Sequence, residues 1–146
     1  MDYSLLRELI ETNRGKTSFG RFGHGRSEEW IEMAQNRLGV RFPPSYTWWL
    51  SNYGGGEVNG DEIFSVYGLD FDSVVGGDVV YINELNRERG ISTRDELVIQ
   101  ENDQGETYYI NLKQVGVTGE SPVYVEPGKI KYAETFGEFL ALKLIE

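Results

Sequence analysis

The fold is decided by the stretch Leu38-Gly-Val-Arg-Phe-Pro-Pro-Ser-Tyr-Thr-Trp-Trp-Leu-Ser-Asn-Tyr-Gly-Gly-Gly56. Gly39 suits the end of a helix, because glycine adopts left-handed backbone angles at little cost. Pro43 and Pro44 then prevent that helix from continuing and favour the start of a new one. The stretch therefore predicts two helices joined by a short turn.

One face of the second helix is almost wholly aromatic or aliphatic. Its members recur at positions i, i+3, i+4 and i+7, which lie on one side of an α-helix: Tyr46, Trp49, Leu50 and Tyr53. Glycines 54–56 let the backbone turn sharply after this helix. We interpret the stretch as a hinge between an N-terminal helical part and a C-terminal sheet part.

Upstream of the hinge, the apolar spacing predicts two further helices. The first runs from about Tyr3 to Asn13. The second begins after Ser27, whose hydroxyl suits an N-cap, and Glu28 and Glu29 favour its first turn.

Downstream of the hinge, most segments have the composition and alternation of strands. They are residues 62–67, 97–101, 106–112, 122–126 and 130–132, with a hairpin turn at 102–105. Residues 74–89 suit either a strand or a helix that ends at Gly90, and we favour the helix because residues 83–89 are too polar for a buried strand. Thr135 and Glu138 form a capping-box pattern before a final amphipathic helix.

This order of elements predicts an α+β fold: N-terminal helices, a mostly antiparallel sheet with an inserted helix, and a C-terminal helix packing on the sheet. With 39% hydrophobic residues, we expect residues 1–146 to form one domain. No apolar run approaches the roughly 20 residues of a membrane span. The first ten residues do not resemble a signal peptide and the chain has no cysteine, so we expect a cytoplasmic protein without disulfides or thiolate sites.

Negative charge is concentrated in the sheet part. Residues 1–50 hold 7 Lys/Arg and 6 Asp/Glu, whereas residues 51–146 hold 7 Lys/Arg and 18 Asp/Glu. Two windows, 57–78 and 95–106, contain six and five acidic residues and no basic residue. Such a surface repels phosphate backbones and anionic lipid and attracts basic partners. A surface that serves only hydration is the alternative.

The sequence contains no strong catalytic pattern. His24 is the only histidine, so no second histidine or cysteine completes a metal site or a nucleophile–base pair. Asp70 and Asp72 resemble the start of a carboxylate metal site, but no EF-hand spacing follows. Gly54-Gly55-Gly56-Glu57 lacks the lysine of a phosphate-binding loop and continues into acidic residues. We therefore expect no enzyme, no cofactor and no metal, and interpret Asp70 and Asp72 as part of a binding loop.

The aromatic residues favour protein binding over nucleic-acid binding. Aromatic rings can stack on bases, but a net charge of −10 opposes contact with a phosphate backbone. Trp48 falls off the apolar face of its helix, so we expect it to be partly exposed. A partly exposed tryptophan is typical of an interface anchor.

Three stretches, taken in order, resemble the SUKH superfamily of SMI/KNR-type domains. The first is the hinge stretch, residues 38–56. The second, Leu97-Val-Ile-Gln-Glu-Asn-Asp-Gln-Gly-Glu-Thr-Tyr-Tyr-Ile-Asn-Leu112, is similar to the family's strand, acidic turn and aromatic strand. The third comprises Ser121-Pro-Val-Tyr-Val-Glu126 and Tyr132-Ala-Glu-Thr-Phe-Gly-Glu-Phe-Leu140, similar to the family's proline–valine strand and final helix. The chain departs in its hairpin turn, where Gly105 stands alone and Glu106 replaces a more usual aspartate.

The resemblance implies a non-enzymatic role in protein binding. Bacterial members of the superfamily are widely placed as immunity proteins, which bind and neutralise a toxin, often a nuclease. Fungal relatives are linked to the regulation of cell-wall synthesis through protein contacts. Binding surfaces vary strongly among members, so the identity of the partner does not follow from the family.

Our leading hypothesis is an immunity protein that covers the active or substrate-binding surface of a basic toxin domain. The alternatives are a scaffold or regulatory domain with an endogenous protein partner, and a carboxylate enzyme. We expect a monomer or weak homodimer that binds neither nucleic acid nor membrane. The predicted partner-binding residues are acidic side chains with two aromatic anchors: Glu57, Asp61, Glu62, Asp70, Asp72 and Asp103, with Trp48 and Tyr67.

Overall fold

The computed structural model describes residues 2–146 and confirms the α+β class. Within these residues, five α-helices and six strands follow one another. In order they are α1 (Tyr3–Thr12), α2 (Glu28–Leu38), α3 (Pro44–Tyr53), β1 (Gly56–Val58), β2 (Asp61–Ile63), α4 (Val79–Glu88), β3 (Glu96–Glu101), β4 (Thr107–Asn111), β5 (Val123–Glu126), β6 (Ile130–Ala133) and α5 (Phe136–Ile145). One turn of 3₁₀-helix, Arg14–Lys16, follows α1.

The turn between α2 and α3 forms where the sequence predicts it. The Ser27 hydroxyl caps the start of α2, and Gly39 ends the helix with φ of 71°. Two arginines from beyond α3 bind the carbonyls at this end: Arg87 donates to Leu38 O (3.0 Å) and Arg94 to Gly39 O (3.0 Å). Cations are favoured here because the helix dipole is negative at its C-terminus.

The aromatic face of α3 forms the centre of the core. Its four predicted members are at most 1% exposed: Tyr46, Trp49, Leu50 and Tyr53. Phe136 of α5 packs against this face, with its ring centroid 4.9 Å from that of Tyr46. The Tyr46 hydroxyl donates to Phe64 O (2.7 Å), so its buried polar tip is satisfied.

Both ends of α3 are held by distant parts of the chain. The N-cap residue, Pro43, has no side-chain acceptor, and Glu120, from the loop after β4, supplies an acceptor instead. Its carboxylate accepts hydrogen bonds from the Ser45 N–H and hydroxyl, both at 2.8 Å. At the other end, N–H groups of loop 20–26 donate to carbonyls of the last turn, including Arg26 N–H to Leu50 O (2.8 Å). These contacts satisfy groups that a helix leaves unpaired.

The strands form two antiparallel sheets. β3, β4, β5 and β6 lie in that order in the larger one. The helix α5 packs on one of its faces, where the rings of Tyr108 and Phe139 are 5.4 Å apart. β1 and β2 form a separate hairpin. The chain that leaves β2 runs beside β3, and Phe64 N–H donates to Ile99 O (2.7 Å).

Two boundaries in the middle of the chain differ from the prediction. The sequence predicts one strand over 62–67, whereas the structure has the β1–β2 hairpin, in which Gly56–Val58 pairs with Asp61–Ile63. These three-residue strands are too short to show alternation. The helix predicted over 74–89 begins only at Val79. The buried Asp78 carboxylate accepts N–H groups of Val80 and Tyr81 (2.9 and 3.1 Å) and so caps the helix at this point.

Candidate partner-binding surface

The β1–β2 hairpin carries three of the predicted partner-binding residues. Glycines 54–56 lead into it with φ of 81°, 147° and 137°, angles that side chains disfavour. Glu57 pairs directly with Glu62, and Val58 pairs with Asp61. Directly paired residues share a face of a hairpin and successive residues alternate, so Glu57 and Glu62 lie on one face and Asp61 on the other.

The turn between β3 and β4 brings further carboxylates to the hairpin. The side-chain amide of Gln100, in β3, donates to Asp61 O (3.5 Å). Asp103 lies in the turn that follows, and Glu101 and Glu106 flank it. We call this surface the acidic end and define it by six residues: Glu57, Asp61, Glu62, Glu101, Asp103 and Glu106.

The carboxylates of the acidic end are uncompensated. None of the six forms an ion pair within residues 2–146. Glu57 and Asp103 are exposed, and Asp61 and Glu62 are partly buried. Like charges that face each other across a hairpin, as Glu57 and Glu62 do, destabilise it. The acidic end therefore weakens the fold slightly and produces a field that attracts cations.

One cation, Lys143 of α5, lies on the buried side of the acidic end. It is 8% exposed, and its ammonium donates to the Tyr108 hydroxyl (2.9 Å) and lies 4.0 Å from the centroid of that ring. The Glu146 carboxylate is 3.9 Å away. Burial lowers the pKa of Lys143, and Glu146, Glu106 and Asp61 oppose the shift. One buried ammonium offsets only part of the charge of six carboxylates, so the acidic end keeps a net negative charge.

Tyr67, a predicted anchor, is tied to Glu62. Its hydroxyl donates to the Glu62 carboxylate and accepts the Gly77 N–H (2.9 Å). Burial, followed by the hydrogen bond to Glu62, raises the pKa of Tyr67 to about 12. A Cβ at Gly77 would collide with the Glu62 carboxylate, so only glycine leaves room for this arrangement. Tyr67 therefore positions Glu62, and its contact with a partner stays a prediction.

Asp70 and Asp72 belong to a different network, in the loop before α4. Asp70 Oδ1 accepts the Asp72 N–H (3.1 Å) and shapes the turn. Asp72 pairs with Arg37 of α2 (3.0 Å), which also pairs with Glu84 of α4 (2.8 Å). In the described chain, no hydrogen bond or ion pair joins either aspartate to the acidic end. Arg37 partly neutralises Asp72, and the role of both aspartates in binding stays a prediction.

Trp48 is partly exposed and packs against the start of α1. Its ring stacks on that of Tyr3, at the start of α1, with centroids 5.1 Å apart. The hairpin lies beyond the other end of α1, where its Val58 pairs with Thr17. The Trp48 ring also packs near the rings of Phe22 and Tyr53, which do not belong to the acidic end, and its contact with a partner stays a prediction.

Three residues of this site are absent from the predicted set. Glu101 and Glu106 fall in the second acidic window, but nothing in the pattern shows that the end of β3 contacts the hairpin, as the hydrogen bond from Gln100 to Asp61 O does. Lys143 has a weak signal, because it is the one charged residue in the apolar run 139–145. A lysine at such a position is predicted to extend its charged group towards acidic neighbours or solvent.

The residues with catalytic potential remain scattered. Among residues 2–146, no three His, Asp or Glu side chains converge as a metal site requires. His24 is exposed in the loop between α1 and α2. The absence of a cofactor and of a metal stays a prediction. No helix in the described part of the chain is long and apolar enough to span a membrane.

Comparison with known families supports the resemblance seen in the sequence. The family model described as SMI1-KNR4 cell-wall, SUKH_6, matches residues 28–140. The match starts at α2, includes the hinge and both sheets, and ends inside α5. Members of this family are generally non-enzymatic. The matched region covers well over half of the sequence, and the chain therefore belongs to the SMI1-KNR4 family of the SUKH superfamily.

Proposed function

We propose that this protein is an immunity protein, a non-enzymatic domain that binds and neutralises a basic toxin domain such as a nuclease. The observation that carries the proposal is the acidic end, where the six carboxylates of the hairpin and the neighbouring turn form no ion pair within residues 2–146. Membership of a family commonly associated with toxin immunity supports it.

The charge of the acidic end suits this role. A nuclease must bind phosphates, so its active groove is lined by lysine and arginine. Carboxylates on the hairpin and the turn can pair with these cations and block the substrate. Complementary fields also accelerate encounter by about 10- to 1,000-fold at low ionic strength. Fast capture is what an immunity protein requires, because a free toxin acts on many substrate molecules.

The first experiment is capture of the partner from the native host. The tagged protein is purified at low and at high salt, and bound proteins are identified by mass spectrometry. The proposal expects a stoichiometric toxin domain rich in Lys and Arg, released by salt, whose activity is lost when the protein is added. A captured housekeeping protein, with no toxin, would contradict the immunity role.

Two matched variants then test the acidic end. Glu57→Gln, Asp61→Asn and Asp103→Asn together remove three charges from it, and none of these side chains makes a hydrogen bond in the described structure. The control, Glu8→Gln with Glu29→Gln and Glu88→Gln, removes three exposed charges elsewhere. We expect the first variant to slow association with the toxin about tenfold at low salt, and the control less than about twofold. Equal effects would show that only total charge matters.

A scaffold or regulatory domain is the second candidate. It is favoured by the cell-wall description of the matching family. A toxin gene immediately upstream of the gene for this chain would favour immunity. An endogenous partner that is captured in the absence of neighbouring toxin genes would favour the regulatory role.

A further inference from the structure

A second candidate surface is an open groove between the start of α1, α2 and the start of α3. Its volume is about 580 Å³. Ile31 and Phe42, 5% and 6% exposed, form an apolar floor, and the stacked rings of Trp48 and Tyr3 form one wall. Grooves of this size accommodate a few side chains of a peptide.

One carboxylate of the groove has no partner. Glu32 and Arg41 line it too, but they neutralise each other through two hydrogen bonds of 3.0 Å. The Glu28 side chain makes no hydrogen bond or ion pair within residues 2–146. Among the residues that line the groove, the uncompensated charge is therefore negative, which favours a cationic group and disfavours a phosphate.

The aromatic cluster beside the groove already holds a guanidinium. Arg7 lies 3.6 Å above the centroid of the Phe22 ring, and that ring is 6.4 Å from the ring of Trp48. Tryptophan attracts cations more strongly than phenylalanine does. A guanidinium can stack on an aromatic face and bind a carboxylate at the same time, which an ammonium does less well. Trp48 and Glu28 offer both contacts inside the groove.

We propose that this groove binds an arginine side chain on an extended segment of a partner protein. The guanidinium lies against Trp48 and pairs with Glu28, while apolar neighbours of the arginine contact Ile31 and Phe42. The groove shares no lining residue with the acidic end, and the proposal does not depend on the immunity role.

A short peptide tests this proposal directly. The probe is acetyl-Leu-Arg-Leu-amide, titrated into the ¹⁵N-labelled protein and followed by the indole N–H signal of Trp48, which a Trp48→Phe variant assigns. We expect this signal to shift with saturation. Replacing the arginine of the peptide by the neutral isostere citrulline should weaken binding at least about threefold, and so should Glu28→Gln.

The matched control is Asp103→Asn, which removes one charge from the acidic end and should leave peptide affinity unchanged. Equal weakening by Asp103→Asn and Glu28→Gln would overturn the proposal, because attraction would then depend on net charge alone. An unshifted Trp48 signal, or equal binding of the citrulline peptide, would also overturn it. So would self-association that Glu28→Gln abolishes, since the occupant would then be a second copy of the chain.

Discussion

Gly25→Ala should destabilise the fold through one tight backbone contact. Gly25 belongs to the loop that covers the end of α3, and a Cβ there would lie 2.5 Å from Leu50 O and from the carbonyl carbon and oxygen of Ser51. Favourable contacts between heavy atoms begin near 3.5 Å, so the loop must withdraw by about 1 Å. All three obstructing atoms are backbone, and no side-chain rotation relieves the clash.

The magnitude follows from two terms. Overpacking of this kind costs about 1–3 kcal/mol. Withdrawal also breaks the hydrogen bond from Arg26 N–H to Leu50 O (2.8 Å), which contributes about 1 kcal/mol. We expect the free energy of unfolding to fall by about 3 kcal/mol in total, against about 5–15 kcal/mol for a typical domain. The melting temperature should fall by about 6–12 °C.

The assay is urea unfolding followed by tryptophan fluorescence, with Gly15→Ala as the matched control. Gly15 lies in the same loop region and has no left-handed φ, and a Cβ added there would meet no other atom within 4 Å. We expect the control to be neutral or to gain up to about 1 kcal/mol. If both variants unfold at the same urea concentration, the close approach at Gly25 does not determine the stability of this region.

Three further predictions concern other contacts. Glu120→Ala should lower the free energy of unfolding by about 2 kcal/mol in urea melts, because it leaves two donors of Ser45 unpaired. The control Glu88→Ala, on an exposed helix face, should change that free energy by less than about 0.5 kcal/mol. Gly77→Ala should push the Glu62 carboxylate away from Tyr67, so an absorbance titration should show the pKa of Tyr67 falling from about 12. An unchanged pKa would mean that burial alone raises the pKa of Tyr67. In the wild type, burial favours the neutral phenols of Tyr67 and Tyr108 and raises their pKa values from 10.0 to about 12. The free energy of unfolding, measured in urea melts at a series of pH values, should therefore be constant below pH 10 and decline as the pH rises towards 12.

The hinge and the core can be predicted because their signals are local. The caps at Ser27 and Gly39 and the aromatic face of α3 depend on residues within a few positions of one another, and the structure confirms them. The start of α4 is harder to place, because Asp78 caps it only after a glycine pair that interrupts the apolar pattern. Local rules therefore locate the elements but not every boundary.

The candidate surfaces depend on contacts between residues far apart in sequence. Glu120 caps α3 across 75 positions, and Lys16 donates to Leu144 O across 128. The acidic windows predict where charge is concentrated, but only the hydrogen bond from Gln100 to Asp61 O shows that the end of β3, before the Asp103 turn, contacts the hairpin. Asp72 pairs with Arg37 instead. Similarly, the spacing predicts that Trp48 is exposed, but not that Tyr3 stacks on it.

The absence of lysine and arginine from both acidic windows, 57–78 and 95–106, favours a binding surface over a surface that serves only hydration. Elsewhere on the molecule, arginine side chains stand among the carboxylates and pair with some of them: Arg41 with Glu32 (3.0 Å), and Arg37 with Glu84 (2.8 Å). A surface that needed only hydration would have no reason to exclude lysine and arginine from one region, because mixed charges hydrate equally well and repel one another less. At the acidic end this exclusion destabilises the hairpin without an evident benefit to the isolated fold. The benefit is explained if a cationic partner supplies the missing charges.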